Sequence, residues 1–325
     1  MSPPSTGTLR IALVGDLHTF SLAIWPWELL GKTLAGQVNL WLNRSRKFHR
    51  DLLAPTIARI HECRPDLALF TGDLTTTSRP REFRFMRQAL APLIDECTSV
   101  IVAGNHDRYT FTAKRRRRLE RTFPRFAPEV FPAVHSLIGG WRLIAVDSAV
   151  PRLFDSRGVI GPRQLQHMQS LLKSVGDDEG VLLLCHYPFG KPPQLPPMKP
   201  GHRLIDEQAW CDTIAECRGR VIIAHGHVHC PWLWRPDMRS IGSTGDAARV
   251  LDINAGAPTL AAGGWPRGQG FWTLDLQADP SRPIALAHHV MGAGEAPVGD
   301  ADESAAPVDV PAHPDWKVRA FTIAI

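Results

Sequence analysis

The chain has 325 residues, 44% of them hydrophobic and 21% charged, with a formal net charge of +5 and a pI near 9.0. That is the balance of a soluble globular protein with material for a sizeable core, built as one elaborated domain or a core plus a tail rather than two equal domains. The basic excess favours anionic partners, and phosphorylated substrates, nucleic acid and an anionic membrane all stay open.

Residues 1–8 are polar and Pro-rich and read as a flexible N-terminus without a secretory leader. Short runs rich in Val, Ile and Leu at 9–14, 67–71, 100–103, 143–146, 181–185 and 221–224 predict buried strands. Helical spacing falls between them at 51–63, 80–93, 162–175 and 207–217. This alternation predicts an α/β layered core over 9–291. Strand-like pieces follow at 249–254, 270–276 and 284–290 and suggest a second sheet packed on the first.

Two segments stand apart from that core. Residues 20–50 run from aromatic and aliphatic (Phe20, Leu22, Ile24, Trp25, Trp27) to basic (Arg44, Arg46, Lys47, Arg50). They read as a packed insertion, a lid over a greasy substrate, or an interfacial hairpin at the inner membrane surface. Residues 292–315 are rich in Gly, Ala, Pro and Asp and read as a flexible acidic segment, after which 316–325 is apolar enough to dock as a strand.

No apolar run reaches the roughly 18 residues that a spanning helix needs. Cys63, Cys97, Cys185, Cys211, Cys217 and Cys230 form no CxxC pair and no regular framework, so reduced thiols in a cytoplasmic protein are the simplest expectation.

The polar clusters that end the strand-like runs carry the chemistry. They are Gly15-Asp16-Leu17-His18, Gly72-Asp73, Gly104-Asn105-His106-Asp107, Cys185-His186 and Gly226-His227-Val228-His229. Loops at the carboxyl ends of strands are where α/β folds assemble sites, and five such ends from one sheet would converge on one edge. Carboxylate, imidazole and amide oxygen suit Mn, Fe, Zn, Co or Ni rather than Ca. Asp-x-His and His-x-His put two donors on the same side of an extended segment.

Each residue also has a plainer reading. Asp16, Asp73 and Asn105 taken singly are turn or helix-cap residues. His186 alone is a strand-end histidine with an ordinary hydrogen bond. His225 alternates in phase with His227 and His229, so spacing does not exclude it. The basic run 114–118, continued by Arg121 and Arg125, reads first as a solvated helix face and second as a nucleic-acid or lipid contact. His49, His61, His135, His167 and His202 receive no site role.

Taken together and in this order, the five blocks resemble the calcineurin-like metallophosphoesterase superfamily over residues of about 9 to 276. The resemblance implies a four-layer αββα sandwich of two mixed β-sheets flanked by helices. It implies two divalent metals, the first held by Asp16, His18 and His229, the second by Asn105, His186 and His227, with Asp73 bridging both. His106 would contact the substrate phosphate and the leaving oxygen, Asp107 would fix its orientation, and His225 is left out. Two such cations about 3.5–4 Å apart lower the pKa of a shared water and clamp the phosphate for in-line attack.

The implied activity is hydrolysis of a phosphoester or pyrophosphate by a metal-bound hydroxide. The insertion is similar to the lids of UDP-2,3-diacylglucosamine pyrophosphatases, and the compact motif set to bacterial cyclic-nucleotide phosphodiesterases. A lipid-linked or a nucleotide substrate therefore both stay open. The alternatives are a non-catalytic scaffold of the same fold, against which the complete donor set speaks, and a nuclease using the basic run.

Overall fold

The computed structural model describes residues 7–21, 48–152, 155–237, 249–260, 269–292, 297–299 and 311–325. Residues 1–6 of the expected N-terminal segment, the bulk of the 20–50 insertion and most of the 292–315 segment lie outside these residues.

The apolar runs fold as strands buried on both faces, which is why they read as continuous rather than alternating. In chain order the first half gives β1 (Thr8–Val14), α1 (Leu53–Glu62), β2 (Leu67–Phe70), α2 (Pro80–Ile94), β3 (Thr98–Ile101), α3 (Phe111–Arg115), α4 (Arg118–Thr122), β4 (Ala133–Ser136) and β5 (Trp141–Ala145). The second half gives α5 (Pro162–Lys173), β6 (Gly180–Leu184), α6 (Glu207–Ala215), β7 (Arg220–His225), β8 (Trp232–Trp234), β9 (Val250–Asn254), β10 (Phe271–Gln277), β11 (Ile284–Met291), β12 (Val298–Gly299) and β13 (Trp316–Ile323).

These strands form two mixed sheets, ordered β13-β11-β10-β1-β2-β3 and β12-β8-β9-β7-β6-β5-β4. The partition corrects the expectation of one early sheet and one late one. The early strands divide between the two sheets, and the late strands extend both: β10 pairs antiparallel with β1, while β9 pairs parallel with β7. Local sequence carries no information about which partner a doubly buried strand takes, because both faces and both edges look alike.

Three apolar layers make the four-layer sandwich. Between the sheets, Ile11, Leu13, Leu69 and Val102 meet Leu143, Leu182, Leu184 and Ile222. Outside the first sheet, Ala12, Val14 and Phe70 pack under Ile57 and Ile60 of α1 and Phe83, Met86 and Leu90 of α2. Outside the second, Leu183, Val221 and Ile223 pack under Met168 and Leu172 of α5 and Trp210 and Ile214 of α6. Each fully buried side chain of this kind contributes about 1.5–3 kcal/mol.

Helix α2 has a start that matters for the site. Pro80 occupies its first turn, and buried Glu82 reaches back to accept from the backbone N–H groups of Arg79, Thr77 and Ser21. The loop after β2 and the chain leaving β1 are thereby tied to one carboxylate.

Three strands went unread in the sequence. Strands β4, β8 and β12 are too short, or too polar, to show a period of two. No helix among the described residues is long and apolar enough to cross a membrane.

Strand β11 buries two adjacent histidines completely. His288 packs against Trp272 with ring centroids 4.7 Å apart, and burial, aided by Arg319, pushes its pKa down to about 3. Burial likewise holds His289, which stacks on Phe271, well below the ordinary value. An unfolded histidine takes up a proton near pH 6.5, whereas the folded one resists until far lower pH. Stability is therefore fully present above about pH 6.5 and falls by roughly 1.4 kcal/mol per pH unit per histidine below it. In urea titrations between pH 7 and 4, His288→Phe is expected to reduce this acid-side slope by about one proton's worth; an unchanged slope would show that His288 does not carry it.

Candidate metal centre

The strand ends that bear the polar blocks come from both sheets. Strands β1, β2 and β3 deliver Asp16, Asp73 and Asn105 from the first, and β6 and β7 deliver His186 and His227 from the second. The expectation of one sheet edge is thus replaced by a junction between two edges. Hydrogen bonds stitch it together. His18 N–H donates to Asp73 O (2.9 Å), Gly226 N–H to His186 O (3.1 Å), and, across the two sheets, His227 N–H to Asp16 Oδ2 (2.8 Å).

Two donor groups result, and they share a residue. Asp16, His18, Asp73 and His229 form one, Asp73, His186 and His227 the other, with the donor atoms of each group all within 4.8 Å of one another. Asn105 joins the second through Oδ1, 3.1 Å from His186 Nε2. The structure brings together all seven residues that the resemblance marks as ligands.

The chemistry of these donors fits divalent cations. His18 Nε2 lies 2.9 Å from His229 Nε2, and His227 Nδ1 lies 3.1 Å from His186 Nε2. Two facing imidazole nitrogens need an electrophile between them, and a metal ion serves both at once. Asp16 Oδ1 is fully buried and accepts no hydrogen bond from the described residues.

His186 is oriented for the purpose. Its Nδ1 is 2.8 Å from Thr71 O, so that nitrogen carries a proton and Nε2 is turned toward the donor group. Ser148 Oγ, which accepts from His186 N–H at 3.2 Å, steadies the same strand end.

The electrostatics follow from burial. Burial pushes the Asp16 carboxyl well above its usual range, and neighbouring Asp73 adds to this while His186 opposes it. Burial would raise Asp73 too, but His186, His106 and His18 outweigh it and hold that carboxyl well below the usual range. Burial would lower His186, yet Asp73 and Asp16 push it up to about 9. Burial and the charge on His186 hold His227 well below the ordinary value, as a neutral ligand.

The backbone is strained where the donors sit. Non-glycine residues with positive φ include His18 (44°), Asp73 (52°), His227 (73°) and His229 (56°). Each such conformation costs about 1–3 kcal/mol and persists only where the surroundings enforce it.

The repeated glycines explain how the loops come so close. A Cβ on Gly104 would stand 2.1 Å from Asp73 Oδ1, and one on Gly226 would stand 2.5 Å from Thr71 Oγ1 and 2.7 Å from Asp16 Oδ1.

His106 and Asp107 have separate partners. His106 Nδ1 is 2.7 Å from Thr76 O, and its backbone N–H donates to Asp73 Oδ1 at 2.7 Å. The Asp107 carboxylate accepts from the N–H groups of Gly104 (3.0 Å), Thr75 (2.9 Å) and Leu74 (3.3 Å) and from Thr75 Oγ1 (3.0 Å). Asp107 therefore acts on His106 through the loop it ties down, while Thr76 O holds the ring.

Several contributors escaped the sequence reading. Tyr109 stacks on His106 with ring centroids 5.7 Å apart, and Phe48, at the end of the insertion, packs against His18 at 4.4 Å. Asn254 donates to Gly226 O at 2.7 Å and so holds the His-x-His loop. None of these has a motif of its own; the fold brings Phe48 and Asn254 near, while Tyr109 is already three residues from His106. His202, given no role, has its ring centroid 5.3 Å from that of His227.

His225 faces away from the donors, with Nε2 3.0 Å from Asp252 and Nδ1 3.1 Å from Asn254. The basic run is not one helix face, because Arg117 turns left-handed (φ 50°) between α3 and α4. Arg117 pairs with Glu129 (2.7 Å) and Arg118 donates to Ser78 O (2.7 Å), which leaves Arg115 and Arg116 exposed.

A four-layer αββα sandwich with two donor groups sharing one carboxylate at the junction of its sheets defines the class: a dinuclear-metal fold. The chain belongs to the calcineurin-like phosphoesterase family, whose model matches residues 9–231. It is 31% identical over 135 residues to a probable cyclic nucleotide phosphodiesterase of a Synechococcus strain, covering 42% of this chain and 47% of that protein. It is 30% identical over 169 residues to a cAMP/cGMP dual specificity phosphodiesterase of Mycobacterium tuberculosis, covering 51% and 49%.

The chain thus spans about half the length of these curated relatives. A dimetal phosphatase from Danio rerio shares the fold, with a TM-score of 0.57 at 14% identity over 86% of this chain and 95% of that one.

Gly226→Ala is expected to displace Asp16 and weaken Mn²⁺ binding by about 10–100-fold, the usual effect of disturbing the groups that orient ligands. Equilibrium dialysis would measure it, and an affinity equal to wild type would show that the close approach is not required.

Proposed function

We propose that this chain is a two-metal phosphohydrolase acting on phosphodiesters, with a nucleotide diester as the favoured substrate class. The observation that carries the reading is the meeting, in one water-poor junction, of two donor groups that share Asp73. The names of the curated relatives support the diester.

In this reading Asp16, His18 and His229 hold one ion, Asn105, His186 and His227 the other, and Asp73 both. The two ions, when bound, polarise the phosphoryl oxygens and acidify water at neutral pH. The chain supplies the rest. Asp16, His18, Asp73 and His186 are almost fully shielded from solvent, so the field at the phosphate is not screened by bulk water.

His229, with a side chain 17% exposed, and half-buried Asn105 mark the side from which substrate enters. His106 Nδ1 is committed to Thr76 O, which leaves the acid–base work to Nε2. That nitrogen delivers its proton to the departing oxygen, and Asp107 and Tyr109 keep the ring in place by fixing its loop and its face.

The test is hydrolysis of bis-p-nitrophenyl phosphate and p-nitrophenyl phosphate by metal-stripped protein, with Mn²⁺ added back. We expect metal-dependent nitrophenol release with the diester preferred. Asp73→Asn should lower turnover by roughly a hundredfold to a thousandfold or more, since one residue serves both ions. Wild-type turnover in that variant, at unchanged metal content, would sink the assignment.

A further inference from the structure

Beside the donor groups the described residues enclose a cavity of about 190 Å³. Its walls are Leu195, Pro196, Pro197, Met198 and Val228, and buried Trp232 forms its floor. We propose that this cavity is the subsite for the organic group of the substrate, and that it selects a single flat aromatic ring system, such as a phenyl group or a nucleobase. The proposal rests on the phosphoesterase reading above.

Position is the first argument. Val228 lies between His227 and His229, one from each donor group. His227 Nε2 is 3.2 Å from Gly201 O, and the next residue, His202, is part of the cavity wall. Val228 and His202 thus join the cavity to the donor groups through their chain neighbours His227, His229 and Gly201. On this placement the ester substituent of a phosphate held at the donors enters the adjoining cavity.

Chemistry is the second argument. The lining is apolar, and Lys191 does not alter this, because its Nζ donates to Leu195 O (2.7 Å) and Pro192 O (3.3 Å) and so braces the loop. Lys199, which also lines the cavity, is exposed to solvent. A lining that is mostly apolar selects for ring surface and shape.

Rigidity and size complete the case. Pro188, Pro192, Pro193, Pro196, Pro197 and Pro200 restrict the backbone of the wall, so little ordering is needed on binding. An apolar cavity of about 150 Å³ accommodates benzene, whereas drug-sized ligands need about 300–1,000 Å³. The volume here suits one ring system.

Two esters with the same leaving group make the test. Phenyl p-nitrophenyl phosphate is expected to exceed methyl p-nitrophenyl phosphate in kcat/KM by about tenfold to a hundredfold, the worth of burying one ring. Met198→Trp, which fills the cavity, should bring that ratio close to one. A ratio near one in the wild type, or one that survives in Met198→Trp, would overturn the proposal.

A binding readout keeps the cavity testable without turnover. In methyl-labelled protein, where Met198 is one of six methionines, its NMR signal, assigned with Met198→Leu, should shift with phenylphosphonate and stay in place with methylphosphonate. No shift with phenylphosphonate would overturn the subsite. Failure to hydrolyse either ester would instead overturn the phosphoesterase reading, and the NMR titration would then decide the cavity alone.

Discussion

Two carboxylates buried side by side are stable only if positive charge stands with them, and that requirement organises this molecule. Asp16 and Asp73 are shielded almost completely from water, at 0% and 1% exposure. Left alone, such a pair would hold a proton or force the site open. Here His186, His106 and His18 crowd around Asp73, and His229 reaches Asp16 at 3.3 Å. A pair of divalent cations would complete the same arrangement of carboxylates and imidazoles.

Holding that arrangement needs a scaffold stiffer than the loops themselves. The donors sit on short turns, four of them in left-handed conformations that most side chains avoid. The strain, about 1–3 kcal/mol at each, is offset by strands whose residues are buried on both faces. The first sheet contributes the carboxylates and Asn105, the second His186 and the His-x-His loop. Apolar packing between the sheets therefore closes each donor group, because both groups draw on both sheets. Glu82, Asp107 and Asn254 do the finer work, each satisfying backbone groups that the sharp turns would leave unpaired.

The donor groups and the apolar cavity are built from different parts of the chain. The donors stand at the ends of central strands, where position is determined by the sheets. The apolar cavity is walled by a proline-rich connection between β6 and α6, which is free to vary in length and composition without disturbing the sheets. His227 is the point where the two meet, bonded to Gly201 O on one side and placed among the donors on the other.

The candidate donors were legible in the linear sequence. Carboxylate, amide and imidazole groups stand immediately after apolar runs, with glycines where the backbone must come close, and these are local features that a linear reading captures. The sequence also determined most strand and helix positions, because burial on both faces or on one stripe leaves a periodic trace in the residues themselves.

Only the tertiary structure decided how the strands divide between two sheets, since a strand apolar on both faces specifies no partner. It alone separated His225, turned to Asp252, from His227 and His229, which share its alternation but not its loop. Thr76, Tyr109, Asn254 and the cavity wall likewise became visible only after folding. Thr76 and Asn254 act through contacts 30 and 28 residues away in sequence, which no local pattern encodes, and Tyr109, three residues after His106, shows its part only in how the two rings stack.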